Sequence, residues 1–385
     1  MRIIQIGGRT TLGASQCRAA LAAILTIASA PAYSGQIRVV AVASPPHLAS
    51  LPASVGGRVA RNSLKPSVLQ RQWPGTYFET GFSGTEAYFE VGPGDVILDV
   101  LVDGSLAAKL TKPAPGLYAV TGLASATHKL RVEVVSESQA APTAFGGFFG
   151  GRATVQAAPR RRQIEFVGDS YTVGYGNTSA SRDCTTDQVW LTTDTSQGFA
   201  VQTAKRFGAD YQVNAISGRG IVRNYGGFAA DTLPQVHPFT LFDKREVYND
   251  PAWHPQIIVV GLGANDLSTP LHAGEKWKTR EELHWDYEQT YLAFLKRLRK
   301  RNPGAFFILW SLDNSRGEIE SEVSKVAELW RSSGDSRVAF VPLYGTAMSA
   351  CHWHPSTADD AVMAKAIGDV IETHPETWAD SAERG

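Results

Sequence analysis

The chain has 385 residues, 43% of them hydrophobic and 19% charged, with a formal net charge of zero at pH 7. That length exceeds one small core and predicts two domains, and the apolar and charged shares are those of an ordinary soluble globular protein. Balanced charge gives no electrostatic case for a nucleic-acid or anionic-membrane partner, and the short basic run Arg160-Arg161-Arg162 reads as a solvated linker.

At the N-terminus, Arg2, Arg9 and Arg18 precede a small, apolar run over 19–30, and Ala30-Pro31-Ala32 fits an Ala-x-Ala cleavage site. Residues 1–32 therefore read as a bacterial-type export signal, the alternative being a retained apolar helix. The run is too short to span a bilayer, and no other segment approaches the length required. Removing it deletes three arginines and no acids, leaving a mildly acidic chain expected to be secreted or periplasmic. Residues 33–64 are rich in Pro, Ala, Ser and Gly with little periodicity and read as a loose N-terminal arm.

Over 65–158 the pattern changes to short β-type runs at 77–82, 87–91, 96–102 and 129–134. Ser83-Gly84-Thr85, Gly92-Pro93-Gly94, Asp103-Gly104 and Pro113-Ala114-Pro115-Gly116 punctuate them, as turns do in a β-sandwich. Asp103-Gly104 between Leu101 and Leu106 is a hairpin signal. This part predicts a jelly-roll-like all-β domain.

After a linker at 156–162, strand-like runs at 164–167, 211–216, 257–261, 305–310 and 338–341 alternate with helical stretches at 198–208, 281–301, 318–332 and 357–371. Leu283, Tyr287, Tyr291, Phe294, Leu295 and Leu298 fall at helical spacing. Such alternation predicts an α/β domain over 163–375, a parallel sheet covered by helices on both faces in a three-layer sandwich.

Polar turns end three of these strands. Gly168-Asp169-Ser170 follows the first, Ser217-Gly218-Arg219-Gly220 the second, and Gly263-Ala264-Asn265-Asp266 the third; Cys351-His352-Trp353-His354-Pro355 lies near the C-terminus. Open α/β sheets gather ligand groups at such strand ends. A Gly-Asp-Ser turn by itself is also an ordinary chain reversal. Together, however, the segments supply a hydroxyl, a glycine N–H, an asparagine amide and an imidazole, the parts of a hydrolase site.

These segments resemble the four blocks of the SGNH (GDSL-type) hydrolases. Gly168-Asp169-Ser170-Tyr171-Thr172-Val173-Gly174-Tyr175-Gly176-Asn177, Ser217-Gly218-Arg219-Gly220 with Arg223-Asn224-Tyr225-Gly226, and the Cys-x-Trp-His-Pro ending further resemble carbohydrate esterase family 2. Members of that family are deacetylases with a jelly-roll domain ahead of the SGNH domain, and the resemblance spans roughly 65–375. It implies a serine esterase removing acetyl groups from polysaccharides such as xylan, mannan or glucomannan through an acetyl-enzyme. No metal or organic cofactor is implied, and two cysteines without Cys-x-x-Cys spacing make no zinc site.

In that reading Ser170 is the nucleophile and His354 its base. The N–H groups of Ser170 and Gly218 and the side-chain amide of Asn265 form the oxyanion hole. Asp169 and Asp266 hold their turns. Many SGNH enzymes carry an aspartate three residues before the histidine, where this chain has Cys351; in the resembled family it often stands two before, where this chain has His352. The expectation is therefore a Ser–His dyad, with a backbone carbonyl such as that of Trp353 holding the imidazole. Asp359 or Asp360 could serve instead, although a helix start makes capping their better explanation.

Cys184 and Cys351 are the cysteines left after the export signal. Export permits a bridge tying the two catalytic loops together, and a bridge is expected, with two buried thiols as the alternative. Trp353 and Tyr225 are the expected sugar-stacking residues among many aromatics. Competing functions are a general GDSL-type lipase or arylesterase, for which a long apolar lid is missing, and a carbohydrate-binding protein whose catalysis is vestigial. Nothing in the sequence fixes an oligomeric state.

Overall fold

The computed structural model describes residues 36–43, 48–61, 68–154, 162–312 and 317–379. The expected export signal, and the expected linker up to Arg161, lie outside them.

The first part is two antiparallel sheets. Its early strands are β1 (Arg38–Ala41), β2 (Ser50–Leu51), β3 (Ser54–Gly56), β4 (Val59–Arg61), β5 (Leu69–Arg71), β6 (Tyr77–Gly84) and β7 (Ala87–Val91). Then come β8 (Ile97–Val102), β9 (Ser105–Thr111), β10 (Gly116–Thr121), β11 (Ala126–Val134), β12 (Thr143–Phe149) and β13 (Arg152–Ala153). One sheet runs β1-β10-β7-β12-β5-β4 with β2 also on β12; the other runs β13-β6-β11-β8-β9 with β3 also on β6. Alternate residues turn inward, as Leu130, Val132 and Val134 do on β11. Their core includes Phe78 stacked on Phe145 at 4.1 Å. Asp103 and Gly104 both have positive φ, 51° and 83°, the backbone of a two-residue I′ hairpin. The stretch expected to be a loose arm instead supplies β1 to β4. Strands of only two to four residues among Pro and Gly carry too little alternation to be seen in the sequence.

The second part is a parallel sheet of β14 (Gln163–Gly168), β15 (Asp210–Ala215), β16 (Ile257–Gly261), β17 (Phe306–Leu312) and β18 (Val338–Leu343), in the order β15-β14-β16-β17-β18. Runs such as Ile257–Gly261 are buried along their whole length, as strands covered on both faces must be. Its helices are α1 (Ser170–Val173), α2 (Thr186–Thr192), α3 (Phe199–Arg206), α4 (Leu233–Val236), α5 (Ala264–Leu267), α6 (Arg280–Arg301), α7 (Glu318–Ser332) and α8 (Thr357–Glu372). Helices α6 and α7 cover one face, burying Leu283, Tyr291, Val323 and Trp330. The other face receives Phe199 and Val201 of α3 and Met363 and Ile367 of α8.

The chain leaves β14 for β15 on one side and later crosses to β16 on the other. Strand order therefore reverses beside the C-terminal end of β14, where an open sheet forms its crevice. The two parts are joined through Arg58, between β3 and β4. It is 1% exposed and pairs with Glu165 of β14 at 3.0 Å. Its guanidinium also donates to the His237 carbonyl and to Gln212 Oε1.

Candidate active site

Ser170 opens α1 directly after β14. Asp169 caps that helix, its Oδ1 accepting from Tyr171 N at 3.1 Å. Gly218 follows β15 with φ of 81°, a conformation that excludes most side chains. Asn265 sits in the first turn after β16, and His354 in the loop after β18. Four strand ends thus deliver four chemical groups to one crevice.

His354 Nε2 stands 2.9 Å from Ser170 Oγ. Its Nδ1 lies 3.0 Å from the Cys351 carbonyl and 3.1 Å from that of His352. Those contacts fix the tautomer: Nδ1–H donates to the carbonyls, and Nε2 is left to accept the serine proton. The expected carbonyl, that of Trp353, is not the one. His352 and Trp353 both have left-handed backbones, φ 52° and 61°, and the resulting turn brings the two earlier carbonyls together under the ring. Asp359 and Asp360 do not orient the imidazole. Asp359 closes a capping box with Ser356 and binds the N–H groups of Ala347 and Met348, while Asp360 accepts from Asn177 Nδ2 and from Phe199 N.

Burial lowers the His354 pKa to about 4, against the opposing pull of the two carbonyls, so the ring is neutral at neutral pH. Tyr171 meets it edge-on at 5.2 Å and Tyr175 lies over it at 4.3 Å. His352 is turned away, its Nε2 2.8 Å from the Cys184 carbonyl and its Nδ1 3.0 Å from the Tyr175 hydroxyl. The Cys184–Cys351 bridge is present, with Cα atoms 5.5 Å apart, so the loop bearing His354 is tied to the segment after Ser170. Gly176 packs beneath it; a Cβ there would come within 2.5 Å of Cys351 Cβ.

Neither the Ser170 nor the Gly218 N–H is used in a hydrogen bond to another described residue. Asn265 Nδ2 donates to Asp169 Oδ2 at 3.1 Å and to the Arg219 carbonyl at 2.9 Å, so an incoming oxyanion has to share or displace one of these. Burial, with Asp266 nearby, raises Asp169 to about 7, and burial raises Asp266 to about 6. Asp266 accepts from the N–H groups of Ile221, Val222 and Arg223 at 2.8–2.9 Å and so shapes the loop after Gly218.

Ser170, Gly218, Asn265 and His354 line an open cleft of about 540 Å³. Trp353 and Tyr225 line it too, with 61% and 57% of their surfaces exposed, and the Arg182 guanidinium lies 3.7 Å over the Trp353 ring. Sequence reasoning did not pick out Tyr175 as the residue facing the imidazole, nor Phe228, nor Gln139, which the sandwich contributes to the cleft. Tyr175 stands in the quoted serine motif and was within reach; the other two have no pattern around them.

A strand-ending serine bonded to a neutral histidine, beside unused backbone donors, defines a site for acyl transfer. The carbohydrate esterase 2 N-terminal family matches residues 55–159, and the GDSL-like lipase/acylhydrolase family matches 166–377. A Cellvibrio japonicus acetylxylan esterase / glucomannan deacetylase is 41% identical over 333 residues, covering 85% of this chain and 92% of that protein. A solved carbohydrate esterase, described as having an active site with divergent catalytic and non-catalytic binding functions, superposes with a TM-score of 0.81 at 39% identity. It covers 86% of this chain and all of its own. A family two carbohydrate esterase from Clostridium thermocellum, in complex with cellohexaose, gives a TM-score of 0.75 at 26% identity, over 85% of this chain and 100% of that one. The chain belongs to the GDSL-like lipase/acylhydrolase family and, within it, to carbohydrate esterase family 2.

Proposed function

We propose that this protein is an exported esterase that removes O-acetyl groups from xylan- or glucomannan-type polysaccharides by way of an acetyl-enzyme. The observation that carries the reading is the 2.9 Å contact of Ser170 Oγ with a His354 ring held in the accepting tautomer. Ser170 Oγ attacks the acetyl carbonyl as its proton passes to His354 Nε2. The oxyanion is taken by the N–H groups of Ser170 and Gly218 and by the Asn265 amide, which gives up its longer bond to Asp169. The imidazolium then protonates the departing sugar oxygen, and water, deprotonated by the same ring, hydrolyses the acetyl-enzyme.

The catalytic pair is a dyad, since backbone carbonyls stand where a triad has a carboxylate. Trp353 and Tyr225 provide stacking faces for sugar rings at the mouth of the cleft. Export is supported by the arginines and apolar run within 1–32; no helix among the described residues is long and apolar enough to cross a membrane.

The test is acetate release from acetylated xylan and acetylated glucomannan. Wild type is expected to release acetate from at least one polymer, Ser170→Ala and His354→Ala to abolish that release, and His352→Ala to retain most of it. A wild type that releases acetate from neither polymer overturns the deacetylase reading. A dead His352→Ala beside an active His354→Ala overturns the assignment of the base.

A further inference from the structure

We propose that Glu137 and Gln139 of the β-sandwich are positioning residues of the oxyanion hole, acting through their hold on the peptide unit between Ser217 and Gly218. The inference rests on the esterase reading above.

Both residues lie in the connection between β11 and β12, and that connection is pinned along its length. Ser136 Oγ accepts from Ile97 N at 2.9 Å, and Arg71 donates to Ser138 Oγ at 2.9 Å and to Thr143 Oγ1 at 2.8 Å. Gln72 Nε2 donates to the Gln139 carbonyl at 3.1 Å, and Trp190 Nε1 to that of Glu137 at 3.2 Å. Ser136 and Ser138 bond within the sandwich, while Glu137 and Gln139 face the hydrolase half.

There they meet Ser217 from both sides. Ser217 N donates to Glu137 Oε1 at 2.8 Å. Gln139 Nε2 donates to the same oxygen at 3.0 Å and to the Ser217 carbonyl at 3.2 Å. The Ser217 carbonyl and the Gly218 N–H belong to one planar trans peptide, so fixing one direction fixes the other. Gly218 lies in no helix or strand and has φ of 81°, so no regular ladder holds that unit. An oxyanion donor is effective when it is aimed before the charge develops. The hydrogen bonds that aim this one come from the other domain.

Kinetics on 4-nitrophenyl acetate and on acetylated glucomannan test this, comparing wild type with Glu137→Ala, Glu137→Gln and Gln139→Ala. Misaiming one donor is expected to lower kcat on both esters by about 10- to 100-fold with KM little changed, below the full effect of deleting a donor. Glu137→Gln keeps an acceptor oxygen for Ser217 N and is expected to recover most of the rate. Gln139 is exposed, so Gln139→Ala stays folded and reports even if Glu137→Ala does not fold. Variants that keep kcat within about twofold on the aryl ester overturn the inference. So does a loss confined to KM for the polymer, which would make Gln139 a sugar contact instead. Wild type inert on both esters overturns the esterase reading and this inference with it, an outcome distinct from active wild type with unaffected variants.

Discussion

Acidification is the sharpest probe of the Ser170–His354 pair, because the base works only while its ring is neutral. Burial sets the His354 pKa at about 4, against an ordinary value near 6.5. At pH 5 a base titrating at about 4 is about 90% neutral, whereas an ordinary histidine would be about 3% neutral. The two cases differ roughly 30-fold in the rate retained at that pH. The assay is kcat/KM on an activated acetate ester across the acid range at constant ionic strength, with activity rechecked at pH 7 after each exposure. The acid limb is expected to fall with a midpoint of about 4. A reversible midpoint near 6.5 would refute the argument that burial keeps the ring neutral. Linkage gives a companion expectation. Between the folded and unfolded values the unfolded chain binds a proton that folded His354 does not, so this residue's contribution to stability rises with pH across that window.

Replacing Cys184 and Cys351 together by serine is expected to lower the urea midpoint, since the bridge spans a sequence separation of 167 and chain entropy puts the ceiling at about 5 kcal/mol; an unchanged midpoint contradicts this. Trp353→Ala is expected to raise KM for acetylated glucomannan about tenfold, the loss of about one stacking contact, while sparing 4-nitrophenyl acetate; equal losses on both esters would make the ring part of the catalytic loop's scaffold instead. Asp266→Asn leaves one acceptor oxygen where two serve three backbone N–H groups, and is expected to destabilise the fold by about 1–3 kcal/mol by denaturant titration; a wild-type midpoint would show that the loop does not depend on these bonds.

The hydrolase half was legible because most of its strands are apolar runs rich in β-branched and aromatic residues, three of them closed by polar turns, and each long helix repeats apolar residues at helical spacing. The Asp103-Gly104 hairpin was equally plain. Less visible were β9 and β12: Ser105–Thr111 is largely exposed and Thr143–Phe149 carries two glycines, so neither shows a clean two-residue alternation. At the site, residue chemistry named Ser170, Gly218, Asn265 and His354, but distances came only from the fold. The carbonyls that hold the imidazole depend on positive φ at His352 and Trp353, which nothing in those residue types announces. Glu137 and Gln139 were out of reach for another reason. They act across about 80 residues of chain on a backbone unit, and a loop with no periodicity gives no sign of what it will touch.

Arg58 bears on how this enzyme can be cut, shuffled or rebuilt. Its guanidinium lies inside the hydrolase half against Glu165, a residue of β14 with 3% exposure. Cleaving the chain between the halves and discarding the first would strip that carboxylate of its guanidinium partner and leave it to His237 and Asn214. The catalytic half is therefore not a portable cassette. Grafting it onto another carrier, or swapping the sandwich for a different domain, would have to bring Arg58 along or redesign Glu165 first.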